Sequence, residues 1–482
     1  MGGLLLVALC CACRAAAAAR RPRDADPPAG RAETRWQPDE QLREMAPRDI
    51  YETHDAAARV RWMLNRSMTQ YARVKTPARA ADVLARTLKD PYFIFVYRNR
   101  VYRSVRHDHA QKHKTHYLFS TLLSLARRSP LPNFAAAWDQ GARGTGCSAK
   151  NPFTCLVIAK VSGYAAPGLL IPNPYFAHVG EWGQKLQESK AVADARPFES
   201  RDSRVFWRGA VAPQCNSGNV ARVAAIALSL KDPKNFDVKC VQCTPPEALA
   251  CAKQFPYTPD MVDATKAMVP NASGYALVHG GYVNTTNFSK WQYVLNLPGT
   301  RGGSYSRNLN YLWDLGSVVL LWDSLAVEWY YPGLQSGKTH LAVDAEMAAN
   351  AVKAHGGATA IKELQKSARS VANKFLCGDC LERYWRELIG RVREHFQMAS
   401  VLDDEDGADG KRGRPNAHLK EILKGVPCAE LLEVRHIPNM TEFYWGDHFG
   451  HPCVYVPLDA RDPLRAFCAP EGGHARRPKS PR

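Results

Sequence analysis

The chain has 482 residues, 45% of them apolar, and a formal net charge of +18. That length exceeds one ordinary core and sets two domains as the expectation; the apolar fraction suits a globular protein. The charge favours an anionic partner (nucleic acid, anionic lipid or a nucleotide sugar), but no zinc-finger spacing, RNP-like aromatic motif or basic heptad helix accompanies it, which argues against a nucleic-acid module.

Taken in chain order, residues 1–19 (MGGLLLVALCCACRAAAAA) read as a signal peptide, with an apolar core from Leu4 to Cys13 too short to span a bilayer. No later run reaches the roughly 18 apolar residues of a transmembrane helix, so no stable membrane span is expected. Residues 20–40, rich in Arg, Pro and Asp, read as a disordered lead-in. A first domain is expected over 41–200. It begins helically to Leu88, with Val60, Met63 and Leu64 on one stripe and Pro47 and Pro77 as interruptions. Tyr92 to Tyr102 reads as a hairpin turning at Arg98-Asn99-Arg100. Tyr117 to Ala126 is a helix, Cys155 to Lys160 and Gly168 to Ile171 are strand-like, and Trp182 to Ala193 is a helix. A second domain is expected over 201–400: strand Val205 to Gly209, helix Asn219 to Leu230, strand Val238 to Val241, and helices Ala342 to Ala354, Ala358 to Cys377 and Leu381 to Gln397. Residues 401–415 read as a charged linker, 416–470 as a cysteine-containing appendage and 471–482 as a loose tail.

Residues 288–334 carry most of the functional signal. An apolar run from Trp291 to Leu297 meets a turn holding Gly299, Gly302 and Gly303; a short helical pattern follows with Leu309, Leu312 and Trp313, and a second apolar run spans Ser317 to Trp322. Strand, glycine loop, helix and strand in this order present free N–H groups and a helix dipole to an anion, as nucleotide sites in open α/β sheets do. The same stretch resembles glycosyltransferase family 90, the capsule-associated type that includes the Rumi-type protein O-glucosyltransferases. The residues carrying the resemblance are Lys290-Trp291-Gln292-Tyr293, Tyr305-Ser306, Tyr311-Leu312, Gly316-Ser317-Val318-Val319, and Glu328 with Tyr331-Pro332-Gly333-Leu334. A weaker likeness runs back through Phe206-Trp207-Arg208-Gly209 and Leu170-Ile171-Pro172, and forward to Tyr384-Trp385.

The resemblance implies an α/β chain of GT-B type, two Rossmann-like domains facing a cleft. It implies a UDP-sugar donor of glucose or xylose type, a protein or polysaccharide hydroxyl as acceptor, inversion, and no metal. It assigns Arg208 and Ser306 to the donor diphosphate; Asn308 falls where the family has an arginine, and Arg307 lies one residue earlier. Gly302 and Gly303 would let backbone approach the pyrophosphate, and Glu328 falls on the nucleoside side. A carboxylate must take the acceptor proton. Asp139, after Leu131-Pro132-Asn133-Phe134, is the candidate base, with Asp108 and Glu181 as alternatives. Each has a plainer reading: Arg208 as an ion-pair partner, Ser306 as a helix cap, Glu328 as an exposed helix-start residue. A catalytically inactive sugar-nucleotide-binding relative and a secreted polyanion binder are the competing functions.

Setting aside Cys10, Cys11 and Cys13 leaves eleven of the 14 cysteines, enough for several disulfides with at least one thiol left over. Asn65, Asn271, Asn284, Asn287 and Asn439 begin N-glycosylation sequons. Together these point to a secretory lumen, endoplasmic reticulum or Golgi, or to secretion. Cys240-x-x-Cys243 and Cys377-x-x-Cys380 read as disulfides rather than a zinc site in that setting. The histidines at 107, 109, 113 and 116 read as part of an exposed basic segment, and the acidic run from Asp403 to Asp406 as solvated linker.

Overall fold

The computed structural model describes residues 55–469 apart from 107–111, 142–143, 145–146, 148–153, 162, 165, 177–178, 304, 323, 325, 345–347, 349, 351–356, 405–413 and 437–452. The signal segment, the lead-in, most of the linker, the tail, Asp108 and Asn439 lie outside the described residues.

Helix α1 (Ala56–Met68) starts where the Asp55 carboxylate accepts the Ala57 N–H at 2.9 Å, and it buries Val60, Met63, Leu64 and Met68. Helix α2 (Pro77–Thr87) begins at Pro77. The proline therefore opens a helix instead of interrupting one, because the first helical position needs no N–H donor. Strands β1 (Phe93–Tyr97) and β2 (Arg100–Ser104) are joined by Arg98 and Asn99 at φ +48° and +60°. Two left-handed residues make the tight turn whose twist matches a hairpin. Helix α3 (Lys112–Arg128), strands β3 (Phe134–Asp139), β4 (Cys155–Val157) and β5 (Leu169–Leu170), and helix α4 (Val179–Asp194) follow. Next come β6 (Asp202–Val211), α5 (Ser217–Lys231), β7 (Phe236–Cys243), α6 (Pro259–Ala267), β8 (Trp291–Asn296), α7 (Leu309–Leu312), β9 (Val318–Trp322) and β10 (Leu341–Val343). Helices α8 (Ala358–Val371), α9 (Gly378–His395) and α10 (Ala417–Lys424) and strands β11 (Leu431–His436) and β12 (Cys453–Pro457) complete the fold. The expected helix from Ala342 to Ala354 is thus β10 at its start, and most of the remainder falls outside the described residues.

Strands β6 to β10 form a five-stranded parallel sheet in the order β10-β9-β8-β6-β7. Strand β9 is buried at every position, which is why it reads as an unbroken apolar run: both faces of a parallel sheet are covered. Counted within the unit, the order is 2-1-3-4-5, a doubly wound Rossmann-like order whose chain reverses direction between its first and third strands. The first sheet differs from the expectation of a second Rossmann-like unit. Its order is β12-β11-β2-β1-β3-β4-β5, and only β3, β4 and β5 run as a parallel set. The two-residue turn forces β1 and β2 antiparallel, and β3 lies antiparallel on the other edge of β1.

Residues 416–470 do not stand apart as an appendage. Strand β11 pairs with β2, Leu431 opposite Ser104, and so extends the first sheet. Helix α9, within the 201–400 stretch assigned to the second unit, also returns to the first sheet. Its Trp385, Leu388, Ile389 and Val392 meet Phe134, Ala136 and Leu156, and Tyr384 donates to the Leu170 carbonyl at 2.6 Å. Burying each such side chain stabilises by about 1.5–3 kcal/mol. Part of the linker is likewise tied down: Val401 and Leu402 are buried, Asp403 pairs with Arg393 at 2.6 Å and Asp404 with Arg98 at 2.8 Å. The described residues accordingly form one unit.

The cysteines pair as 147–155, 215–251, 240–243, 377–380 and 428–468, leaving the buried Cys453 as the thiol left over. Asn65, Asn271 and Asn284 are exposed and Asn287 is half-buried. Among the described residues no helix is long and apolar enough to cross a membrane.

Candidate functional site

In an open α/β sheet ligands sit beyond the carboxyl ends of the strands, at the point of reversal. Here that point lies between β6 and β8, and the segment leaving β8 carries the glycine turn. Pro298 bridges to Tyr305 across it and closes the turn at its base. Gly302 has φ +64°, a conformation that requires glycine, and a Cβ there would come within 3.0 Å of Ser217 Oγ. Gly303 is buried.

The loop docks on the start of α5. The Thr300 carbonyl accepts from Asn216 Nδ2 at 2.9 Å and Asn219 Nδ2 at 2.7 Å, and Arg222 Nε donates to the Pro298 carbonyl at 2.9 Å. A Cβ on Gly218 would lie 1.9 Å from the Gly299 oxygen. Protein groups therefore fill the amino end of α5. The short helix expected from Leu309, Leu312 and Trp313 is a single turn, Leu309–Leu312, with Asn308 at its start and no side-chain cap. Ser306 does not cap it by its hydroxyl; its N–H donates to the Leu297 carbonyl at 3.0 Å and its carbonyl accepts the Leu309 N–H at 2.9 Å. So short a helix contributes little dipole. Positive charge in this region comes instead from side chains on the loop's outer side, the exposed Arg301 and Arg307.

Those arginines face groups of the first sheet. Arg307 lies over the Tyr175 ring, 5.1 Å from its centroid, and burial raises the Tyr175 phenol while the Arg307 and Arg301 charges act to lower it. Tyr311 is likewise pushed up by burial, with Arg307 the largest opposing influence, and it packs edge-on to Trp182 at 4.7 Å. Lys114, in the first turn of α3, is 8% exposed and donates to the Gln140 carbonyl at 3.2 Å. Its ammonium is lowered to about 8, chiefly by burial and also by the Arg301 charge, with Asp139 opposing. Asp139 ends β3, half-buried, with Oδ1 accepting the Gly141 N–H at 2.8 Å. One buried ammonium thus lies within electrostatic reach of a carboxylate at a strand end of the first sheet and of a cation on the glycine loop of the second. The sheets also touch directly, through paired hydrogen bonds of 3.0 and 2.9 Å between Lys160, past β4, and Val327, past β9.

Two sequence-nominated residues lie differently from the others. Arg208 is turned back along β6: it pairs with Asp237 at 2.7 Å, donates to the Trp207 and Asp237 carbonyls, and covers the Phe206 ring at 4.6 Å. Glu328 is not an exposed helix start. It is 3% exposed, and its charge helps to raise the Tyr330 and Tyr331 phenols, on which burial acts most. Glu181 stands half-buried in the first turn of α4. Sequence reasoning missed Lys114, Arg301 and Tyr175. Lys114 lies in a stretch dense in His, Arg and Lys, and nothing in that composition marks it as buried. Arg301 was legible as the cation inside the Gly299–Gly303 turn.

No family model and no curated protein matches the chain. Among solved structures, one that matches is a glycosyltransferase from Rickettsia africae ESF-5, at 12% identity and TM-score 0.28, over 50% of this chain and 63% of that one. An overlap at that score carries no argument about the site.

Proposed function

We propose that this chain is a glycosyltransferase that moves a glucose- or xylose-type sugar from a UDP-sugar to a hydroxyl of a protein or glycan, with inversion and without a metal, in a secretory lumen. The observation that carries the reading is the meeting of the two units at the glycine loop, where Arg307 lies 5.1 Å over the Tyr175 ring and the buried Lys114 feels the charges of both Asp139 and Arg301. The chemistry needs that combination: a carboxylate to take the acceptor proton and fixed cations to receive a departing diphosphate. The acceptor oxygen attacks the anomeric carbon as its proton passes to Asp139. The anomeric C–O bond breaks, and its electron pair leaves on the β-phosphate, stabilised by Arg301, Arg307 and Lys114. Ser306, Asn308 and the backbone at Gly302 and Gly303 line the donor side, and Glu328 the nucleoside side, as the family resemblance implies. Arg208 would have to leave Asp237 to join them, so the reading rests on the loop arginines. The disulfides fit an oxidising compartment.

The test is UDP release from UDP-glucose and UDP-xylose, with and without acceptors bearing free hydroxyls. Asp139→Asn should bind UDP with wild-type affinity and lose at least about 100-fold in turnover. Wild-type turnover in that variant would remove the base assignment. Asn308, in place of the family arginine, favours one second reading, a binding relative without activity. UDP binding with no release from either donor would select it.

A further inference from the structure

The chain carries two disulfides of identical spacing in different settings. Cys240–Cys243 lies at the end of strand β7, with Cys240 fully buried. Cys377–Cys380 lies at the amino end of α9, an 18-residue helix, with Cys377 as its N-cap. Cys377 is half-exposed and Cys380 buried at 4%. The Cys380 N–H donates to Cys377 Sγ at 3.1 Å, and the Arg383 guanidinium stands 3.8 Å from Cys380 Sγ. The Asn373 carbonyl lies 3.2 Å from Cys380 Sγ, placed to accept from the thiol once the bond is open.

We propose that Cys377–Cys380 is a redox-active pair that undergoes thiol–disulfide exchange with low-molecular-weight or protein thiols, whereas the other four disulfides are structural. A thiolate of the incoming reductant attacks the accessible Cys377 Sγ. The bond to Cys380 breaks, and the electron pair leaves on Cys380 Sγ, which takes a proton from solvent and hydrogen-bonds as a thiol to the Asn373 carbonyl. A second reductant thiolate, from the same dithiol or from a second glutathione, then attacks the reductant sulfur of the mixed disulfide and expels Cys377 as thiolate. Two electrons pass to the protein, and the reductant leaves as a disulfide. The N-terminal N–H groups of α9 and the Cys380 N–H stabilise the Cys377 thiolate, the condition that makes a leading cysteine reactive. The carboxylates nearby are already engaged: Arg128 holds Asp379 and Glu382, and Arg386 holds Glu382. Lys374 precedes the pair, and α4, which packs against this turn at Gly183, carries Glu181 and Lys185, of opposite charge.

The experiment equilibrates the folded chain in glutathione buffers of stepped potential, quenches with an alkylating agent and reads each cysteine by peptide mass spectrometry. Cys377–Cys380 should open first, with glutathione trapped on Cys377 and not on Cys380, while Cys240–Cys243 and Cys428–Cys468 stay closed. Opening together with, or after, Cys240–Cys243 overturns the proposal. A second arm follows iodoacetamide capture of Cys377 against pH in the chain so reduced. A midpoint below the ordinary thiol value of about 8.5 is expected, and one at or above it overturns the assignment.

Discussion

The contact between Gly218 and the glycine loop gives a sharp test of how the site is held. A Cβ built at position 218 lies 1.9 Å from the Gly299 oxygen and 3.0 Å from the Gly302 nitrogen, both backbone atoms that no rotamer change can move. Ordinary contact begins near 3.4 Å, so Gly218→Ala must drive the loop and α5 apart by about 1.5 Å. That retreat stretches the hydrogen bonds of Asn216 and Asn219 to the Thr300 carbonyl, now 2.9 and 2.7 Å, beyond useful range. At about 1 kcal/mol each, and with some overpacking strain remaining, the expected loss of stability is about 2–4 kcal/mol. The loop bears Arg301 and leads into Arg307, so UDP affinity should fall in the same variant. Urea unfolding reads the first quantity and calorimetric titration of UDP the second. Gly281→Ala is the control: nothing lies within 4 Å of its Cβ, and it should be silent within about 0.5 kcal/mol. A Gly218→Ala chain with the stability and UDP affinity of the parent would refute the docking of the loop as the element that positions the cations.

Three further outcomes follow from the same geometry. Lys114 titrates near 8 in the fold against an ordinary 10.5, so its buried charge costs stability below pH 8, and that cost is relieved as pH rises from 8 to 10.5. An anion binds the charged form, so UDP affinity should weaken about tenfold between pH 7 and 9.5, and Lys114→Met should flatten that profile in calorimetric titrations. Asp314 is 4% exposed, with Oδ1 unpartnered among the described residues; burial raises its carboxyl from 3.8 to about 6, against the opposing charges of Arg369 and Lys190. The native state therefore holds the extra proton, and stability falls as pH rises from 3.8 to 6. Asp314→Asn should raise unfolding free energy at pH 7.5 and give no gain at pH 3.5, read by denaturant titration. Arg208→Ala leaves Asp237, a residue 7% exposed, with only the 3.9 Å ion pair to Arg204, and should cost about 3 kcal/mol, partly recovered by adding Asp237→Asn. UDP affinity should stay within about twofold while the chain is folded, and a tenfold fall would instead assign Arg208 to the donor.

The second sheet was legible because its signals are local. Buried parallel strands write themselves as apolar runs, and the turns between them carry glycine. The hairpin at Arg98-Asn99 was legible in position for the same reason. The composition of the first sheet was not, because β11 reaches β2 across more than three hundred residues and its sequence states only that it is a strand. Nor was the return of α9 onto β3: its apolar stripe fixes that one face is buried, not against what. Asp139 was reachable through the resemblance, whereas Lys114 required knowing which end of α3 the fold buries.

The placement of Glu328 bears on how the two sheets act together. It follows Val327, whose hydrogen bonds to Lys160 join the segments leaving β9 and β4. The same stretch continues into Trp329, Tyr330 and Tyr331, each no more than 1% exposed, and Tyr305, closing the glycine loop, packs its ring 5.6 Å from Tyr331. A displacement of the loop is therefore felt at the seam between the sheets through aromatic packing that has little room to relax. Conversely, whatever fixes the seam also fixes the base of the loop that carries Arg301 and leads into Arg307. On this argument the buried run 327–331 positions the cations as much as the loop does, and a carboxylate at 328 is held at that seam whether or not it ever meets a ribose.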